Sequence, residues 1–168
     1  MVDWDELVRR EGTAVWRTIF RLLRNQADAD ECFQETFVAA LKLSQRQTVN
    51  HWPALLKRLA VARAVDRLRQ RLRRTRREDA VDLSTIITSG PEPFEQAETS
   101  EAASTLHWAL AQLSGQRAEI FCLHELENWS YQEIADHFSM STSAVGVLLH
   151  RTRQKLQKLL STPRQRHF

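Results

Sequence analysis

The side chains best placed to do chemistry lie between Thr142 and Lys158: Thr142, Ser143 and His150, then Arg151, Arg153, Lys155 and Lys158. Short hydroxyls followed by cations on one helix suit hydrogen bonds to base edges and ion pairs with phosphates, not covalent catalysis. The elements that hold them are legible. Ser130 followed by Glu133 has capping-box spacing, which predicts a helix from Tyr131 with Tyr131, Ile134, Ala135 and Phe138 on one face. After the break Ser139-Met140-Ser141, Ser141 can cap a second helix, with Val145, Leu148, Leu149, Leu156, Leu159 and Leu160 as its apolar positions. Small Ala135 would let the two helices approach, with Val145 packed against the first. Two such helices around a short turn are a helix-turn-helix, whose second helix enters the major groove by its N-terminal part. The same spacing fits an αα-hairpin with a basic, solvated face.

Two further clusters have charge that demands a reason. Lys57 to Arg77 contains ten Lys or Arg and one acid, Asp66; Glu78 to Glu101 contains seven acids and neither Lys nor Arg. Net charge is +3, so the distribution, not the total, points to a polyanion partner for the basic segment. A basic helix beside aromatic residues suits melted or single-stranded nucleic acid, where bases stack and phosphates pair with arginine. The third cluster, Asp30, Glu31, Gln34 and Glu35, lies near a helix N-terminus, where the macrodipole favours acids; a solvated face accounts for it on the residues alone.

Enzymatic motifs are missing. The six histidines are scattered, without an HExxH or CxxC cluster, and no glycine-rich phosphate loop occurs. Cys32 and Cys122 sit in helical patterns beside Phe33 and Phe121, as buried thiols of a cytosolic chain would; no metal site, cofactor or disulfide framework is expected. The N-terminus lacks a signal peptide's basic region, and no apolar run has the length of a membrane span.

Four Gly and four Pro in 168 residues leave little punctuation, and period-two alternation is missing, so the class is all-α. Residues 3 to 25 read as the first helix, capped by Asp3, with Leu7, Val8, Val15, Trp16, Ile19, Phe20 and Leu23 as its stripe and a possible kink at Gly12. Asn25-Gln26 closes it. Residues 28 to 45 form the second, capped by Asp28, with Cys32, Phe33, Phe37, Ala40 and Leu41 inward. After a polar loop, Ser44 to His51, Trp52-Pro53 opens the third, whose apolar side carries Leu55, Leu56, Leu59, Ala62, Leu68 and Leu72. Residues 80–99 are the linker between domains 1–79 and 100–168, although Leu83, Ile86 and Ile87 could dock on a neighbour. Ser100 to Leu113, with Leu106, Ala109, Leu110 and Leu113 inward, and Gly115 to Leu126 precede the helix-turn-helix. Residues 163–168 read as a frayed basic tail.

With both halves laid out, the chain resembles the extracytoplasmic-function group of the sigma-70 family over residues 4 to 160. RLLRNQADADECFQETFVAAL (21–41) is similar to that family's polymerase-binding segment and LLKRLAVARAVDRLRQRLRR (55–74) to its promoter −10 segment. ALAQLSGQRAEIFCLHELENWSYQEIADHFSMSTSAVGVLLHRTRQKL (109–156) resembles region 4, which reads the −35 element. The resemblance implies two small helical domains, region 2 and region 4, joined by a linker, in a cytoplasmic alternative sigma factor that is not an enzyme. It binds core RNA polymerase through the β′ clamp helices and the β flap, directs promoter-specific initiation, and is often held by an anti-sigma factor. Asp30, Glu31, Gln34 and Glu35 then dock on the clamp helices. Asn50 and Trp52, at the end of the loop that captures a flipped −10 base, join Lys57, Arg58, Arg63 and Arg67 on −10 DNA. Arg117, Tyr131, Ser141, Thr142, Ser143, Gly146, His150, Arg151 and Arg153 face −35 DNA.

The departures are specific. Val61-Ala62 stand where the family often has Arg-Asn, which implies lost or altered −10 contacts, and Leu113-Ser114 replaces Leu-Pro. Ala144-Val145-Gly146-Val147-Leu148 stands where Thr-Val-Lys-Ser-Arg is common, so bidentate arginine readout of guanine is missing there. Either the chain reads an unusual −35 element through Thr142, Ser143, His150 and Arg151, or its region 4 binds DNA weakly. Gly146 costs about 1 kcal/mol against alanine in mid-helix, which suggests a close backbone approach. The rival reading is a helix-turn-helix regulator of duplex DNA that acts without polymerase; the two unlike halves and the acidic 28–35 segment speak against it.

Overall fold

A computed structural model describes residues 1–81 and 101–162, with side chains placed except at 79–81. The expected linker and its Leu83, Ile86 and Ile87 fall largely outside the described residues, as does the expected tail. The described residues form helices α1 (Trp4–Leu23), α2 (Gln26–Ser44), α3 (Trp52–Val81), α4 (Glu101–Ala111), α5 (Gly115–Glu125), α6 (Tyr131–Phe138) and α7 (Thr142–Ser161).

Helices α1 to α3 make one bundle. Leu56, Ala60, Val61, Ala64, Val65 and Leu68 recur on one face of α3 at the helical period and are buried against Val15, Ile19, Leu22 and Leu23 of α1 and Ala29, Cys32 and Ala40 of α2. Val61 is thus spent in the core. Gly12 does not break α1: it is buried, and a Cβ there would lie 3.5 Å from the Phe33 ring.

The start of α2 differs from expectation. Asn25 is its cap, accepting from the Asp28 amide at 2.9 Å, while α1 ends on Arg24 in the left-handed conformation at φ 52°. Asp28 is freed by this for another task. Its carboxylate accepts from the Arg71 guanidinium, which also donates to the Leu23 carbonyl at 3.2 Å and so covers the C-terminus of α1. Val8, Leu41, Leu106, Tyr131 and Leu160, expected inward, are exposed, because the buried stripe of each helix is narrower than its apolar pattern.

The second half builds the helix-turn-helix as its caps dictate. The Ser130 hydroxyl accepts from the Glu133 amide at 3.1 Å and the Ser130 amide donates to the Glu133 carboxylate at 2.7 Å. Ser139 turns the chain at φ 52°, and Ser141 caps α7 by accepting from the Ala144 amide at 3.1 Å. Ile134, Ala135, Val145 and Leu149 are buried where α6 and α7 cross. Helices α4 and α5 pack on α3, so the buried residues of both halves form one connected core.

The seam between the halves is sensitive to acid. Burial, then the charges of Arg71 and Arg24, hold His107 below the ordinary histidine value of 6.5. Burial, then Arg58 and His51, do the same for His137. Both groups stay neutral in the packed protein while the unfolded chain takes up protons, so their contribution is complete above pH 6.5 and is lost as pH falls through the depressed values. The melting temperature is expected to drop between pH 6.5 and the carboxylate range, and a H107Q/H137Q variant to flatten that drop. An unchanged slope in the variant, followed by calorimetry, would remove both histidines from the seam.

Candidate nucleic-acid interface

The acidic side of α2 faces arginines of α3. Arg67, with 14% of its side chain exposed, lies 3.0 Å from Glu31, 3.6 Å from Glu35 and 3.7 Å from Asp28. Glu31 and Glu35 stay about half exposed and Gln34 is exposed, so three of the four acidic-face residues present polar groups outward. The fourth, Asp30, is exposed and accepts from the Trp16 indole at 2.8 Å. The structure therefore places Arg67, expected on −10 DNA, inside the acidic cluster expected to bind polymerase.

Other expected −10 residues are also engaged. Lys57 lies 3.4 Å from Glu127. Arg58 donates to the His137 carbonyl at 2.8 Å and lies 4.4 Å over the Phe138 ring. Trp52 packs edge-on against Trp4, ring centres 5.3 Å apart. Asn50 is exposed, and the half-buried Arg63 has no ion pair among the described residues. Glu127 was not legible as important. Only 7% exposed, it accepts from the Thr18 hydroxyl at 2.8 Å and faces Arg21 at 3.6 Å as well as Lys57. Arg21 also donates to the Leu126 carbonyl at 2.7 Å. The seam thus uses a buried carboxylate with three partners from the other half, Thr18, Arg21 and Lys57.

On the helix-turn-helix, Thr142, Ser143, Val147, His150 and Arg151 are exposed along α7. Ser141 is exposed but its hydroxyl is committed to the cap. Tyr131 is exposed, and a Cβ on Gly146 would lie 3.4 Å from its ring, in ordinary contact. Arg153 is tied to Glu125 at 2.7 Å, which draws it away from the free cations. Arg117 and Arg151 form no ion pair among the described residues and flank a groove of about 370 Å³.

Other chemistry finds little purchase. Both cysteines are buried and free, and burial, then Glu119 and Glu127, push the Cys122 thiol up to about 12. Among the described residues no group of three or more His, Cys, Asp or Glu could hold a metal, and no helix is long and apolar enough to cross a membrane.

Residues 7–75 match the family described as Sigma-70 region 2, and residues 104–156 match Sigma-70, region 4. The chain is 29% identical over 161 residues to the ECF RNA polymerase sigma factor SigE of Mycolicibacterium smegmatis, covering 96% of this chain and 63% of that protein. It thus spans less than two thirds of that relative's length. It is 24% identical over 165 residues to the RNA polymerase sigma factor YlaC of Bacillus subtilis, covering 96% and 94%. Its fold is similar to that of the sigma factor RpoE from Bartonella quintana, solved in complex with the anti-sigma factor NepR, at a TM-score of 0.53 and 20% identity over 96% and 99% of the two chains.

Proposed function

The chain belongs to the extracytoplasmic-function group of the sigma-70 family, and from that premise we propose that it is an alternative sigma factor. It binds core RNA polymerase in the cytoplasm, directs it to a promoter and opens the −10 region, leaving catalysis to the polymerase. The observation that carries this is the presence of both sigma regions on one chain, in order, with an outward acidic face on the first and a capped helix-turn-helix on the second. Glu31, Gln34 and Glu35 offer charge and hydrogen bonds to a basic clamp; Arg117, Thr142, Ser143, His150 and Arg151 offer them to duplex DNA.

Geometry demands a rearrangement. Promoter elements centred roughly 25 base pairs apart are about 85 Å apart at 3.4 Å per pair. A packed chain of this length is only about 40 Å across, from the usual scaling of radius with length. The halves therefore separate on the polymerase, and Lys57 and Arg58 exchange Glu127, the His137 carbonyl and the Phe138 ring for phosphates. An anti-sigma partner that holds the halves is part of this reading, supported by the likeness to a sigma factor solved with one.

The test is transcription from fragmented genomic DNA by core polymerase with and without the chain. New transcripts sharing a pair of upstream elements are expected. Duplex binding without new starts or core binding would favour the ordinary helix-turn-helix regulator.

A further inference from the structure

The groove between Arg117 and Arg151 has an apolar floor. Ala144, Val147 and Leu148 line it, with Ser143 at the edge. Leu148 is half-buried and packs on the core, which accounts for it. Val147 is not accounted for in this way: it is 50% exposed in the second turn of α7 and is not part of the hydrophobic core. A β-branched residue is a poor choice for an exposed helical position, since it loses side-chain freedom against the preceding turn. It also leaves apolar surface on the face that carries Ser143 and Arg151.

We propose that Val147 reads the 5-methyl group of a thymine in the upstream promoter element, with Arg117 and Arg151 on the phosphates at either side. The inference rests on the sigma reading above and deepens it. In the major groove the methyl group is the one apolar feature among hydrogen-bonding base edges, and small aliphatic side chains are suited to it. A polyanion is the occupant because the two groove-flanking cations lack carboxylate partners among the described residues, unlike Arg67 and Arg153. The element is therefore read at Val147 by an apolar contact that selects A·T.

The experiment uses holoenzyme assembled from core polymerase and the full chain. Upstream duplexes are selected from a randomised library joined to a fixed opened −10 segment, and each selected thymine is then replaced by deoxyuridine, which removes the methyl group alone. One position is expected to lose affinity about fourfold, the worth of one buried carbon. Val147→Ala is expected to erase that difference, and Val147→Arg to move the selected base toward guanine. A deoxyuridine penalty that persists undiminished in Val147→Ala overturns the proposal. So does a loss of core binding in that variant, which would assign the groove to a protein contact. Wild-type chain that binds core and opens the −10 segment without any deoxyuridine penalty overturns this inference alone. Wild-type chain that fails to bind core overturns the sigma reading and the inference with it.

Discussion

Replacing Glu31 and Glu35 together by lysine is expected to weaken binding to core polymerase by about 30-fold or more, on the order of 2 kcal/mol. The size follows from losing two partly desolvated charge pairs and putting like charges in their place. Both carboxylates are about half exposed on α2, so a partner's cations can reach them without unfolding the helix. The same two groups also neutralise Arg67, which keeps only Asp28 at 3.7 Å after the change. Part of the loss could then come from a disturbed α2–α3 contact. Glutamines at both positions separate the effects: they keep the shape and hydrogen bonding and remove only the charge. The glutamine pair is expected to lose affinity by a smaller factor, to keep the wild-type melting temperature within a few degrees, and to show a shallower dependence on salt. Equal core affinity for wild type and the lysine pair, measured by fluorescence anisotropy at moderate ionic strength, would remove α2 from the docking surface.

The parts of this molecule that were legible from the chain are the locally encoded ones. The helix-turn-helix was readable because Ser130, Glu133 and Ser141 cap helices by bonds three residues long, and the core positions Ile134, Val145 and Leu149 repeat at the helical period. A local signal misleads where it has two meanings. Asn25 suits the end of one helix as well as the start of the next, and only the Asp28 amide in the structure decides for the start. Asp28 then proves to serve Arg71, 43 residues away. The cations of the −10 segment are visible in the chain, but their partners are not. Thr18 to Glu127 spans 109 residues and Arg58 to His137 spans 79, and no periodicity encodes such pairs. Likewise, Arg153 on α7 pairs with Glu125, 28 residues earlier, which helical spacing does not encode.

Leu149→Ala is expected to destabilise the chain by about 3 kcal/mol, within the 2–5 kcal/mol usual for such a deletion in a well-packed core. Leu149 is 0% exposed and closes the crossing of α6 and α7 with Ile134 and Val145, so little room exists for neighbours to collapse into the void. For a chain of this size, that cost lowers the melting temperature by about 9 °C. Leu149→Met, which nearly conserves volume, is expected to cost less than about 1.5 kcal/mol. The form of the transition carries further information. The buried residues run from the first bundle through α3 into the second, and Glu127 is held by groups of the other half, so one cooperative transition is expected to move as a whole. Two transitions, with only the later-sequence half shifted by Leu149→Ala, would sink the idea of a cooperative seam. A seam that weak would also release Lys57 and Arg58 at little cost, and duplex containing a melted −10 segment would then bind the free chain as tightly as it binds a chain whose Glu127 has been replaced by alanine. A cooperative seam predicts the opposite order, with Glu127→Ala binding the melted duplex more tightly than wild type, because Lys57 no longer has to leave a buried carboxylate first.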